Sequence, residues 1–446
     1  MSLSLSFSNA SLYALSYYGT KDNQKYGDIY FPADLTVKVG EVTSSLDEVG
    51  VRMKGNTSRD EFVSKEGTIS QASHFKISFK ATFDDDIYST SEFSAFKHDW
   101  SNDASGRKAR KKRRLYTMSK LDLKYLPRND GATYSEEIFA YNSFLSEGIP
   151  APYARWGKVH LSSESDSKDY SYELIETVDD DFIMRRFDND NQGGDLYKCV
   201  WGSYNGNWTG ANLSRSDAVS KVKDENNKSI GTRISNGRIG VEDNWNGYHP
   251  NYQLKTNDDG ENSDFSKMAN FINVIYDCRY GARDFAELNS VLDLDEFLRF
   301  EAMSYLLGNF DDQRNNANNY YLYFLPTTGK AIYIPYDWDW ALNTSKGAEK
   351  YTMYETTGIN GENISTNVYF ATIFDNSDIS YSLSRTKGIY EGYISTFFEG
   401  GYLEESNYDA FVNSLSDHLD VSCDDVSSYF AAKKSLVSGE LQKLGL

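Results

Sequence analysis

The sequence predicts an α+β protein whose strand-rich first part gives way to a mainly helical second part. Three observations carry that expectation. Apolar and polar residues alternate along several early segments, two capping-box spacings open stretches free of Gly and Pro, and two apolar runs flank a Pro-Thr-Thr-Gly turn at 326–329.

Taken in order, strands are expected at 27–39, 47–53 and 74–80, where Phe75, Ile77 and Phe79 alternate with His74, Lys76, Ser78 and Lys80. The charged stretch 82–114 reads as an insertion, and 115–123 resumes the alternation. A helix over 133–147 follows, capped by Thr133 with Glu136 and stopped by Gly148 and Pro150. Glu137, Tyr141 and Phe144 share one of its faces, which turns Glu137 inward. Strands at 154–161 and 169–175 complete a first region, 1–180, of sheet plus one helix. The second region, 181–446, holds a Gly/Asn-rich stretch at 188–260 and then helices at 264–277, 293–307 and beyond 383, with Asp293 and Glu296 opening the second of these.

Composition narrows the function. The 46 basic and 66 acidic side chains leave a net charge of −20, which opposes nonspecific binding to nucleic acid or anionic membrane and favours a multivalent cation as partner. One basic island, Arg107 to Arg114 (RKARKKRR), reads foremost as a solvated loop, with an acidic partner or a dibasic processing site as alternatives. Cys199, Cys278 and Cys423 lie far apart and form no C-x-x-C pair, so sulfur does not define the fold. No run approaches the roughly 20 apolar residues of a membrane span. The start, MSLSLSFSNA, has no basic region ahead of an apolar one. Asn-x-Ser/Thr triplets, at Asn9, Asn207 and Asn343 among others, would suit an extracellular or cell-surface protein whose signal peptide is absent from this sequence. A cytoplasmic location stays open.

The chemistry concentrates between Asp311 and Asp339. The runs 320–325 and 331–335 should pair as a hairpin, with Asn319 just before the first strand and Asp337 just after the second. Antiparallel pairing brings those side chains to one end, and Asp311 leaves the preceding helix toward the same region. An amide and two or three carboxylates there suit magnesium or manganese held jointly with substrate phosphates. Read alone, Asp311, Asp312, Asn318 and Asn319 serve equally well as a helix stop and turns. The stronger signal is Asp337 and Asp339, set between aromatic residues at the end of a buried-looking strand, where a charge needs a partner.

At these residues the chain resembles the CotH kinase family, whose N-W-D, H-N-Y-Y-L-Y and I-P-W-D-x-D elements have counterparts in Asn309-Phe310-Asp311, Asn318 to Tyr323 and Ile334 to Asp339. Upstream, Val51 to Arg59 (VRMKGNTSR) resembles the family's R-x-[KR]-G-N-S-[ST]-R loop, and Glu147 to Pro152 its E-L-G-V-P-A-P. Tyr172 to Asp179, Asp195 to Lys198 and Asp295 to Ala302 follow further family elements in order.

The resemblance implies a divergent two-lobed protein-kinase-like fold that transfers phosphate from ATP to protein Ser or Thr hydroxyls. By the same resemblance Asp311 would orient or deprotonate the acceptor, and Asn319 and Asp337 would hold the metal, with Asp339 a second candidate. Lys76, with Lys80 as competitor, would pair with Glu137 and reach a phosphate. Arg52, Lys54, Gly55, Asn56 and Ser58 would form a phosphate-covering turn, and Glu176 and Tyr197 would contact nucleotide. Phe310 stands where the family has Trp, Asn318 where it often has His, and Ala72 and Ser73 where it often has Lys. A catalytically inactive surface-binding module and AMP transfer are the alternative readings.

Overall fold

The computed structural model describes every residue except 56–57, 126–134, 205–206, 220, 224–228, 237–248, 281–282, 355–380 and 417–425. The expected cap Thr133, the turn residue Asn56 and Cys423 lie outside the described residues. Two compact units emerge: Met1–Tyr134 with Tyr153–Phe182 and Leu415–Ser422, and Ser135–Pro152 with Ile183–Ser414 and Cys423–Leu446.

In the first unit the sheet closes on itself. Strands β1 (Ser2–Ser6), β2 (Phe31–Val39), β3 (Val42–Met53), β4 (Phe75–Ser78), β5 (Lys120–Lys124), β6 (Ala154–Ser162) and β7 (Ser167–Glu176) form a barrel in the order β1-β2-β3-β4-β5-β7-β6. Six neighbouring pairs are antiparallel; with an odd number of strands the last pair, β1 with β6, has to be parallel, and it is, Leu3 lying opposite Val159. Closure leaves no sheet edge exposed for pairing with another chain. Alternate residues such as Leu3, Leu35, Val51, Ile77, Leu121 and Val159 make one continuous core, which extends to helix α1 (Asn9–Tyr18).

This corrects the two-lobed, kinase-like expectation of a first-lobe antiparallel sheet carrying one helix. The first unit is a closed seven-stranded barrel, the described residues hold ten α-helices, and the helix expected on the first-region sheet belongs to the second unit. The α+β class itself stands. The overlooked signal is SLSLSF at the start, a period-two pattern whose Leu3, Leu5 and Phe7 are buried and whose strand closes the barrel.

The basic island is only in part a loop. Its first five residues, Arg107 to Lys111, lie in helix α2 (Ala104–Lys111), capped by Asp103, Lys112 to Arg114 follow the helix end, and the arginines are structural. The β2–β3 pairing shifts register opposite Asp47 and Glu48, a bulge that frees their carbonyls from the ladder. Arg110 takes the Glu48 carbonyl at 3.0 Å and its carboxylate at 2.9 Å, and Arg113 takes the Asp47 carbonyl at 2.7 Å. Arg107 pairs with Asp84 and Arg114 with Asp181, while Lys108, Lys111 and Lys112 face solvent.

In the second unit, β8 (Leu196–Cys199) is followed by two short ribbons, β9 (Gly202–Tyr204) with β10 (Asn207–Thr209) and β11 (Lys221–Lys223) with β12 (Ser229–Thr232). A five-stranded sheet then joins β13 (Ile234–Ser235), β14 (Tyr252–Leu254), β8, β15 (Tyr320–Phe324) and β16 (Ala331–Pro335) in that order. Its helices are α3 (Glu136–Ser146), α5 (Arg215–Val219), α6 (Ser266–Arg279), α7 (Leu294–Leu307), α8 (Tyr381–Glu399), α9 (Glu405–Ser416) and α10 (Ser427–Leu444); α4 (Asp180–Arg186) spans the junction of the units. Helix α3 starts after Ser135, whose N–H reaches the Glu136 carboxylate at 2.8 Å. Asp293 caps α7 as expected, accepting from the Glu296 N–H at 3.3 Å. No described helix is long and apolar enough to cross a membrane.

Helix α7 stops at Gly308, whose φ of 62° is left-handed and whose N–H returns to the Ser304 carbonyl at 2.9 Å. A Cβ here would collide with the Tyr429 hydroxyl, itself fixed on the Leu306 carbonyl at 2.7 Å. Gly308→Ala is therefore expected to lower stability by about 2 kcal/mol, through backbone strain plus the clash. The measurement is the chemical-denaturation midpoint at unchanged slope.

Candidate active site

The hairpin forms as the sequence suggests, Tyr320 opposite Pro335 and Phe324 opposite Ala331. Asn319 and Asp337 therefore leave the same end of it. Both take left-handed backbone conformations, φ 56° and 59°, which Asn and Asp tolerate better than most residues but which still need support.

That support is a ring of amides around one carboxylate. Asp311 Oδ2 accepts from Asn319 Nδ2 at 2.9 Å, and Oδ1 accepts from Asn316 and Asn318 Nδ2 at 2.5 and 3.2 Å. The Asp311 N–H donates to Asn309 Oδ1 at 2.9 Å, and Asn309 Nδ2 donates to the Asp337 carbonyl at 3.4 Å. Burial raises the Asp311 carboxyl above its ordinary range, the amides oppose that rise, and the nearby Asp337 charge adds to it. Asp311, Asn319 and Asp337 are thus brought together. Asp339, two residues on, is half-buried.

Behind this loop lies a buried ionic cluster. Asp312 Oδ1 accepts from the N–H groups of Arg314 and Asn315 at 3.0 and 2.8 Å and from Asn315 Nδ2 at 3.0 Å. Asn315 Nδ2 also reaches the Asn309 carbonyl at 2.9 Å, tying the turn shut. Arg314 lies 3.4 Å from Glu301 and donates to the Thr352 and Met353 carbonyls at 3.1 and 2.8 Å. Burial, which Arg314 opposes, pushes Glu301 up to about 7; burial and the Glu301 charge push Asp312 up to about 8.

Glu137 sits on α3 with Tyr141, in the same unit as the hairpin, and is fully buried. Its Oε1 accepts from the Tyr141 hydroxyl at 2.8 Å and from the Trp338 N–H at 3.2 Å. Tyr197 is fully buried against Phe324, a packing position. Next to it on β8, Lys198 lies 4.2 Å from the Tyr336 ring centroid and donates to its hydroxyl at 3.2 Å. Next to Asp311 in sequence, the half-buried Phe310 meets the exposed ring of Trp340 at 4.7 Å.

The remaining expected residues belong to the barrel. Register sets Arg52, Lys76 and Asp122 in one row across β3, β4 and β5. Asp122 is buried and holds both candidate lysines, Lys54 at 3.1 Å and Lys76 at 3.3 Å, with the Thr177 hydroxyl donating at 3.0 Å. Burial works against its charge, but Lys54 and Lys76 hold it well below the usual carboxylate range. Burial and the neighbouring cations Arg52, Lys120 and Lys54 bring Lys76 down to about 8 despite Asp122. Within this unit, then, the carboxylate beside Lys76 is Asp122; the expected Lys76–Glu137 pair involves residues of different units. Lys80 is shifted down by burial as well.

Arg52 pairs with Asp28 at 2.8 Å, and Glu176 accepts from the Tyr153 N–H at 2.9 Å. Ser58 is exposed, and its hydroxyl crowds Gly55, whose φ of 99° suits Gly alone. Ala72 and Ser73, where family members often carry Lys, are buried.

Asp122 and the inner asparagines escaped the sequence reading. Asp122 is an acid at the polar position of an alternating LDL segment, a usable signal once its register to Lys76 is known. Asn309 and Asn316 belong to an Asn-rich run whose turn function masked their roles, the first as acceptor from the Asp311 N–H and the second as donor to the Asp311 carboxylate.

Residues 51–429 match the family model described as CotH kinase protein, most of the chain, and the protein belongs to that family. A comparison with curated proteins gives no match. Membership suggests a kinase-like function and, as for kinases generally, use of ATP with a divalent metal. Among the described residues no group of three or more His, Cys, Asp and Glu could hold a metal ion. The donor set at the hairpin end is a smaller one, the Asp337 carboxylate with the Asn319 amide oxygen, beside the Asp311 carboxylate that three amides already hold. Such a set fits magnesium, which commonly takes one or two carboxylates alongside substrate phosphates and waters.

Two outcomes are expected from the charge arrangement. Asp122→Asn removes the buried carboxylate that Lys54 and Lys76 share and should cost about 3 kcal/mol, whereas replacing Lys54, Lys76 and Asp122 together by Met, Met and Leu should cost less. Urea titration compares them. Second, Glu301 and Asp312 retain protons in the folded protein at pH values where unfolded carboxyls, titrating near about 4, have lost them. The folded state then binds more protons than the unfolded one, so stability falls as pH rises from about 5 to about 8. Melting temperatures across that window should decline, and Asp312→Asn should flatten the decline.

Proposed function

We propose that the protein is an ATP-dependent protein kinase that phosphorylates Ser or Thr hydroxyls of a protein acceptor. The observation that carries this reading is the Asp311 carboxylate, ringed by the amides of Asn316, Asn318 and Asn319 with the Asp337 charge beside it.

Asp311 takes the proton of the acceptor hydroxyl as its oxygen bonds to the γ-phosphorus and the bond to the ADP leaving oxygen breaks. A carboxyl raised above its ordinary range is the better base near neutral pH, and the amides keep it in one orientation. Asn319 through its amide oxygen and Asp337 through its carboxylate would hold magnesium or manganese, with Asp339 a further ligand. The metal, when bound, offsets the negative charge of the phosphates. On the barrel, Arg52, Lys54, Ser58 and Lys76 are the proposed phosphate contacts. Asp122 already holds two of those cations, so nucleotide phosphate would compete with a carboxylate for them. Its buried position leaves Tyr197 a packing role.

The test pairs two substitutions. Asp311→Asn should keep metal-dependent ATP binding, read as thermal stabilisation, and lose about 10²- to 10⁴-fold in turnover. Asp337→Ala should abolish the metal-dependent stabilisation. The mass added to an acceptor, phosphate or AMP, identifies the group transferred. Turnover equal to the parent in the Asp311 variant removes its role as base, and a flat response of the parent to ATP with metal favours an inactive binding module.

A further inference from the structure

The left-handed Asp337 has neither of its backbone polar groups committed to the hairpin ladder, which ends at Pro335. Its carbonyl is taken by Asn309. Its N–H donates to the Tyr141 hydroxyl at 2.8 Å, and that hydroxyl donates its own proton to Glu137 Oε1 at 2.8 Å. The next N–H, that of Trp338, reaches the same Glu137 oxygen at 3.2 Å.

Helix α3 thus turns one face toward residues 337–338, and Phe144 on that face also stacks on Phe300 at 5.4 Å. Glu137, Tyr141 and Phe144 recur at i, i+4 and i+7, and Phe144 packs edge-on against the buried Trp338 ring at 4.8 Å. Tyr141 is itself fully buried, and its hydroxyl proton is directed at the Glu137 carboxylate. A hydroxyl that donates to a carboxylate is polarised and becomes a better acceptor, which strengthens the bond from Asp337.

Resting on the reading proposed above, we infer that Tyr141 is a positioning residue for Asp337: its hydroxyl links Glu137 to the backbone at the candidate metal ligand and holds that backbone in its left-handed conformation. The side chain touches neither substrate nor metal in this role. It acts by limiting the conformations from which the Asp337 carboxylate has to be recruited.

Tyr141→Phe keeps the ring and removes only the hydroxyl, leaving the Asp337 N–H without its acceptor. In the full chain, the manganese concentration giving half-maximal ATP-dependent thermal stabilisation should rise about tenfold, the equivalent of one lost hydrogen bond. A purely structural role would lower the melting temperature and leave that manganese midpoint in place; this result overturns the inference. Amide exchange over 336–338 in metal-free protein gives a second readout, expected faster in the variant, and unchanged exchange also overturns it. A parent showing no metal-dependent response sinks the kinase reading instead, and the exchange data then decide on Tyr141 alone. If Tyr141→Phe does not fold, Glu137→Gln replaces it. That variant keeps an acceptor oxygen but weakens it by losing the charge, and should move the midpoint and the exchange in the same direction by about threefold; no movement overturns the inference.

Discussion

The hairpin 320–335 can present Asn319 and Asp337 side by side only because both residues adopt a left-handed backbone, and the second unit is arranged to hold that conformation. A non-Gly residue in this region costs about 1 kcal/mol or more and persists only where surrounding bonds over-determine it. Asp311 does this for Asn319, taking its amide. Asn309 and Tyr141 do it for Asp337, one on each backbone group. The same bonds that support the backbone also set the side chains, so stability and the chemistry of the site are not separable here.

A second layer holds the first. The turn from Asn309 to Asn319 would be a loose polar loop were it not pinned by Asp312, which caps two of its amides, and by Arg314, which runs from Glu301 to the carbonyls of Thr352 and Met353. Burying these acids raises them to about 7 and about 8, so their contribution depends on pH. The barrel follows a different rule. There Asp122 is kept charged by two lysines, a compact arrangement in which each ion makes the burial of the others tolerable.

Much of this was legible where interactions are local. The hairpin, the α7 cap at Asp293 and the closeness of Asp311 to Asn319 all depend on residues no farther apart in sequence than Tyr320 and Pro335, where periodicity and turn chemistry act directly. The barrel was not, because β1 pairs with residues 34–38 and 158–162, and a five-residue strand carries no mark of its distant partners. Nor was the allegiance of α3. The spacing of Glu137, Tyr141 and Phe144 shows that a face is buried but not what it is buried against, and that face turned out to meet Trp338 and Asp337. Asp122 was hidden for the same reason, since its row with Arg52 and Lys76 depends on register across long connections.

The basic island shows how the same residues divide between structure and surface. Its four arginines, with planar forks that can serve a carbonyl and a carboxylate at once, are spent on Asp84, on the bulge at Asp47 and Glu48, and on Asp181, while the three lysines between them remain in water. Arginine is suited to such inward work because it is more weakly hydrated than an ammonium and cannot lose its charge by deprotonation. A run of like charges that would repel in a loop is thereby turned into a brace for the insertion. The acidic groups that receive it, set in a chain of net charge −20, are neutralised where they would otherwise destabilise the barrel's bulge.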